Sequence, residues 1–259
     1  MSLGIILQTL IFIELTVLVF TKELVILHSS SFEGRFSAMR ARSGMRVGGL
    51  PKLQPYLQKH KHGSYIMVGG FVRKPYSTSP ARVVIESELM QQLNPIAVSL
   101  GPTEFNLEIE SFMEYTASFT FPVVSTNFDI RNCKVDYVTD DIIVMSYAPR
   151  SNLDEMLMQT AGIYTAEGMI EALKKRIKFH KNNTAGKKVF IATGCDGINT
   201  AIDIAENVPG INVVLSGCSK TMQWNEGEPP EYIRKDSEYP LVYETKDGRT
   251  VLIPHTYGM

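Results

Sequence analysis

A recurring alternation limits what this chain can fold into. Short apolar runs, rich in β-branched and aliphatic residues, fall at Leu24–Leu27, Tyr65–Val68, Ile96–Leu100, Val123–Ser125, Lys134–Val138, Ile142–Ser146, Val189–Thr193, Val213–Leu215 and Val251–Ile253. Most end in Gly, Ser, Thr or Asn, so each reads as a strand. Longer stretches with helical spacing lie between them. Strands and helices that alternate can hide their apolar faces only in layers, which predicts an α/β domain. The pair at Lys134–Val138 and Ile142–Ser146 is joined by Thr139-Asp140-Asp141 and reads as a hairpin, so mixed sheets are expected.

The clearest helix is TAEGMIEALKKRIKFHKN, with Thr165 as its cap and Glu167 in its first turn. Ile170, Leu173 and Ile177 share one face, and Glu171 and Lys175 form an i,i+4 pair. Its basic run therefore reads as a solvated face rather than a nucleic-acid patch. A second helix is expected over Thr200 to Glu206. In GGLPKLQPYLQKHKH, Leu50, Leu53 and Leu57 are helically spaced, but Pro55 is expected to kink or break the helix. ESELMQQLN and EFNLEIESFMEY are further candidates.

The net charge is −1, which argues against a nucleic-acid partner. The first 22 residues stand apart. They are apolar from Leu3 to Phe20 except for Gln8, Thr9, Glu14 and Thr16, and read as a secretory signal cut near Lys22. The competing reading is a short membrane anchor. Glu14 opposes it, and the run barely reaches the roughly 20 residues a span needs. Export to the extracellular space or cell surface would allow disulfides. Cys133, Cys195 and Cys218 leave at least one cysteine unpaired within the chain, with the pairing open. Asn182-Asn183-Thr184 is a glycosylation sequon in a polar stretch.

ILHSSSFEGRF, GGLPKLQPYLQ, LGPTEFNLEIESF, FPVVSTNF and DIAENVPGINVVLSGCSKT, five stretches taken in order, resemble motifs of the 5′-nucleotidase and apyrase family of calcineurin-like metallophosphoesterases. ILHSSSFEGRF is similar to ILHTNDxHGRF, GGLPKLQPYLQ to GGxxRLxxxI, LGPTEFNLEIESF to LGNHEFDxGxxxL, and FPVVSTNF to FPVLSANI. DIAENVPGINVVLSGCSKT resembles IAExVPGIDVIVGGHSHT. The resemblance implies a four-layer αββα sandwich. It also implies two divalent metals at the strand ends, where a metal-activated water attacks phosphorus. VLIPHTYGM resembles a segment that precedes the end of that domain in the family. The resemblance therefore implies an incomplete domain over 23–259, without the family's C-terminal nucleotide-binding domain.

The same resemblance places the family's metal ligands on Ser31, Glu33, Gly70, Pro102, Gly194, Cys218 and Lys220, and its catalytic dyad on Thr103 and Asn106. Gly and Pro carry no side-chain donor, and hydroxyls bind a hard cation weakly without carboxylates. Glu33 could hold a hard ion and Cys218 a soft one, while Lys220 would repel a cation between them. Meanwhile Gly34, Arg35, Gly101, Glu104, Phe105, Gly217, Ser219 and Thr221 keep the family's letters. Glu33 and Lys220 are expected to pair with each other in place of the metal charge.

Ser29 to Ser31 could cradle a phosphate, but more often such a run satisfies its own turn. His28 reads as packed, His60 and His62 as exposed, and His180 as a complement to its helix dipole. Three functions follow. The first is an exported family member without catalysis or cofactor, acting through a nucleotide or another ligand. The second is an active hydrolase of nucleoside 5′-phosphates such as AMP, ADP or ATP with two metals, zinc or similar. The third is a truncated copy without function.

Overall fold

The computed structural model describes residues 23–30, 36–37, 39–40, 46–47, 49–72, 80–107, 109–148, 167–219, 221–223, 234–235 and 238–257. The N-terminal segment 1–22, Ser31, Glu33, Thr165 and Lys220 lie outside these residues, and so does the expected Glu33–Lys220 pair. Among the described residues, no helix is long and apolar enough to cross a membrane.

The first half builds a wholly parallel sheet. Its strands are β1 (Ile26–Ser30), β4 (Ser64–Val68), β5 (Ala97–Ser99) and β6 (Val123–Val124), side by side in that order. The short strands β2 (Met39–Arg40) and β3 (Arg46–Val47) pair with each other. The connections carry α1 (Leu50–Lys59), α2 (Pro80–Gln91) and α3 (Ile109–Ala117).

The second half builds the mixed sheet. The expected hairpin is β7 (Tyr137–Val138) and β8 (Ile142–Ser146), antiparallel with Tyr137 opposite Val144. Helix α4 (Met169–Asn183) then crosses to β9 (Val189–Gly194), and α5 (Gly197–Asn207) crosses to β10 (Val213–Ser219). The short strands β11 (Thr221–Met222) and β12 (Arg234–Lys235) pair in parallel. Strands β13 (Leu241–Glu244), β14 (Thr250–Ile253) and β15 (His255–Tyr257) complete the sheet, in the order β13-β14-β10-β9-β8-β7, with β15 also on β10.

Period-two alternation makes the layers. In β4, Tyr65 and Met67 face Leu50, Met90, Phe112 and Tyr115 of the helical layer. Ile66 and Val68 turn the other way, onto Ile142, Val144, Ile191 and Leu215 of the second sheet. Ile143 and Met145 of β8 then point outward to Leu173 and Ile177 of α4 and to Ala201 and Ile204 of α5. The result is the αββα sandwich, with three apolar seams between four layers.

Three local expectations need correction. Pro55 does not break α1, which runs unbroken past it; Pro55 is exposed, so its ring meets solvent rather than a packed neighbour. EFNLEIESFMEY is not one helix. Leu107 takes an extended backbone (φ −79, ψ 145) and separates a 3-10 turn, Glu104–Asn106, from α3. Helix α4 starts at Met169 with Gly168 at its cap, so Glu167 precedes it. There Lys175 reaches back to Glu167 at 2.7 Å and Lys174 pairs with Glu171 at 3.0 Å, in place of the expected Glu171–Lys175 pair.

Candidate functional site

The ends of four strands meet where the two sheets face each other. β4 leads into Gly69 and Gly70, whose φ angles of 50° and 68° lie in the left-handed region that favours glycine. Space sets a second demand. A β-carbon on Gly69 would lie 2.8 Å from Cys195 Cβ and 2.9 Å from Gly101 Cα. One on Gly101 would lie 2.8 Å from Cys195 Sγ and 2.8 Å from the Gly70 nitrogen. Cys195 follows β9 and forms a disulfide with Cys218 of β10, their Cα atoms 4.9 Å apart. That separation suits a disulfide. The link therefore lies at the convergence of β4, β5, β9 and β10.

Glu104, fully buried, ties the first-sheet side of this junction. Its Oε1 accepts from the N–H of Phe71 at 2.7 Å, the N–H of Val72 at 2.9 Å and the Thr103 hydroxyl at 2.8 Å. Its Oε2 accepts from the N–H of Gly70 at 2.9 Å and of Gly101 at 2.7 Å. Burial holds the carboxyl above the usual glutamate range, against the pull of those donors. One side chain thus fastens the loop after β4 to the loop after β5.

On the second-sheet side, Gly194 ends β9 beneath the Tyr147 ring, which any β-carbon there would overlap. The Tyr147 hydroxyl and Ser99 Oγ are buried oxygens without a hydrogen-bond partner. Burial, with the nearby Asp196 carboxylate, pushes the Tyr147 phenol far up. The Asp196 carboxylate accepts from the Thr200 hydroxyl at 2.7 Å.

The structure thus brings together much of what sequence reasoning selected. Gly70, Pro102, Thr103, Gly194 and Cys218 all lie at these strand ends. Asn106 follows in the 3-10 turn. Asn182 is exposed near the end of α4.

Among the described residues, the donors at this junction do not fit a two-metal centre. Gly70, Pro102 and Gly194 offer no side-chain ligand, and the Thr103 hydroxyl is engaged by Glu104. Cys218 Sγ is bound to Cys195, and both Glu104 oxygens are engaged by five donors. Among the described residues, no group of three or more His, Cys, Asp or Glu could hold a metal ion.

The remaining candidates resolve into packing. Ser29 hydrogen-bonds the Tyr65 hydroxyl at 2.6 Å, so its oxygen serves the strand layer. His28 Nε2 lies 3.0 Å from the Tyr239 hydroxyl, while its Nδ1 is buried without a partner. Burial, and secondarily His255, lowers the His28 ring to about 4. His60 is half-buried and tilts against Tyr56 with ring centroids 4.8 Å apart, so only His62 is exposed as expected. His180 lies in the last turn of α4, as expected, and is buried at 2.7 Å from Asp136, which Arg176 also holds. Burial pushes the unpaired Cys133 thiol up to about 12, which makes it a poor nucleophile.

Sequence reasoning missed Cys195 as the partner of Cys218 and Glu104 as the hub. The odd cysteine count left the pairing open, and the backbone donors around Glu104 leave no trace in sequence.

No family model matches the chain. A protein of Lutzomyia longipalpis is 24% identical over 274 residues, covering 91% of this chain and 45% of that protein. The 5′-nucleotidase of Homo sapiens is 26% identical over 186 residues, covering 66% of this chain and 32% of that protein. Among solved structures, a 5′-nucleotidase precursor from Thermus thermophilus superposes with a TM-score of 0.76 at 16% identity, over 91% of this chain and 49% of that one. The NAD nucleotidase of Haemophilus influenzae superposes at 0.74 and 17% identity, over 91% and 45%. The chain spans less than half the length of each of these proteins.

Proposed function

We propose, from the 5′-nucleotidase relatives and the shared fold, that this chain carries the N-terminal calcineurin-like phosphoesterase domain of the 5′-nucleotidase family and is an exported member that binds a ligand without hydrolysing phosphoesters. One observation carries the reading. The described side chains at the strand-end junction, Gly70, Pro102, Thr103, Gly194 and Cys218, leave no free donor set for paired divalent ions. Such ions supply both the Lewis acid and the activated water, worth several kcal/mol each. At roughly tenfold in rate per 1.4 kcal/mol, their loss leaves little turnover.

Three features support export. The apolar leader has the composition of a secretory signal. The Cys195–Cys218 disulfide suits an oxidising compartment. Asn182, of the sequon, is exposed on α4. The ligand is proposed to be a nucleotide or a related phosphorylated molecule, by analogy with relatives named 5′-nucleotidases.

The test is phosphate release from AMP and ATP by the purified chain with added Zn²⁺, Mn²⁺ or Ca²⁺, with metal content measured alongside. A folded protein without stoichiometric metal or turnover is expected. Two bound ions with turnover would instead establish the hydrolase that the relatives' names suggest.

A further inference from the structure

We propose that the Cys195–Cys218 disulfide is the tie that holds the ends of β9 and β10 together at the strand-end junction, so that cohesion of the mixed sheet there depends on thiol redox state. Metal plays no part in that cohesion.

The geometry carries this. The bond joins the ends of β9 and β10, neighbouring parallel strands of the mixed sheet. Cys195 also fills the space against Gly69 and Gly101, at the ends of β4 and β5 in the other sheet. Both glycines lack room for a single added carbon. Glu104 clamps the Gly70 and Gly101 backbones from the opposite side.

The partners differ in access. Cys195 is 3% exposed, whereas Cys218 is half-buried. A dithiol reductant therefore enters at Cys218. Its thiolate bonds to Cys218 Sγ, the disulfide breaks, and Cys195 leaves as a thiolate that takes up a proton. The reductant's second thiol then displaces Cys218 as a thiol, and the reductant ends as its own cyclic disulfide.

The sequence separation of 23 closes a loop whose loss of entropy in the unfolded chain is the usual source of disulfide stabilisation. For a domain of this size, reduction is expected to lower the Tm by about 5–10 °C.

The experiment is thermal unfolding of the full chain, untreated, with dithiothreitol, and with EDTA, beside a non-reducing peptide map. The expected result is a Cys195–Cys218 cross-linked peptide, a Tm lowered by dithiothreitol and a Tm unmoved by EDTA. C133S should show the same dithiothreitol response. A Tm that ignores dithiothreitol, a Tm that falls with EDTA, or a cross-link through Cys133 would overturn the proposal. So would a C195A/C218A variant with unchanged Tm; one too unstable to purify is the expected loss in its extreme form. The inference stands apart from the absence of catalysis. Turnover with two bound ions alongside a Tm that falls with dithiothreitol but not with EDTA ends that reading and leaves this one, whereas an inactive, metal-free protein whose Tm ignores dithiothreitol does the reverse.

Discussion

Glu104 shows how much a single side chain can organise. Five donors converge on its two oxygens, and four of them are backbone N–H groups. Glu104→Gln keeps the shape but turns one acceptor into an amide donor that faces them. Leaving buried donors unpaired in this way is expected to destabilise the fold by about 2–4 kcal/mol, read as a lower urea midpoint. A neutral outcome would mean that the native carboxyl carries a proton. His28 makes the second prediction at this scale. Its folded pKa of about 4 lies below the ordinary 6.5, so the unfolded chain takes up a proton first as pH falls. Stability is complete above pH 6.5 and declines between 6.5 and 4, by about 3 kcal/mol in total. Equilibrium unfolding across that range should show the slope, and His28→Gln should flatten it.

At the scale of elements, the strands were legible because β-branched runs bounded by turn residues have few other fates. The seams were not, since Tyr65 to Val68 are all apolar and only the structure shows Ile66 and Val68 on one face and Tyr65 and Met67 on the other. Less legible were the helix limits. Leu107 leaves helical geometry inside an otherwise helical pattern, and Gly168 rather than Thr165 sits at the cap of α4. Pro55 is the instructive case. It withholds a helix hydrogen bond yet sits on the exposed face of α1, and the apolar contacts of Leu50, Leu53 and Leu57 hold the helix together around it. Pro55→Ala should therefore restore that bond and raise stability by about 1–2 kcal/mol, visible as a higher Tm. Gly194→Ala should do the opposite. Its β-carbon would force the buried Tyr147 ring aside at a cost of about 1–3 kcal/mol, measured by the same thermal scan.

For the whole molecule, the residue pattern gave a layered α/β domain and the family resemblance supplied the four-layer order, whereas the chemistry of the junction was readable only in part. The strand-end positions at 70, 102, 194 and 218 could be selected, but not that Cys195 and Cys218 would meet across 23 residues. Expression through a secretory host gives a global check: Asn182 is exposed, so a glycan there should add mass that peptide N-glycosidase removes and that Asn182→Gln abolishes. The tight fit of Gly69, Gly101 and Cys195 has one more consequence, and it concerns descent. Any bulk added at one of these positions must be relieved at another, and Cys195 without its partner would leave a lone thiol among apposed glycines. Across the lineage of this gene, then, positions 69, 101, 195 and 218 should be inherited as a single block, kept together or exchanged together.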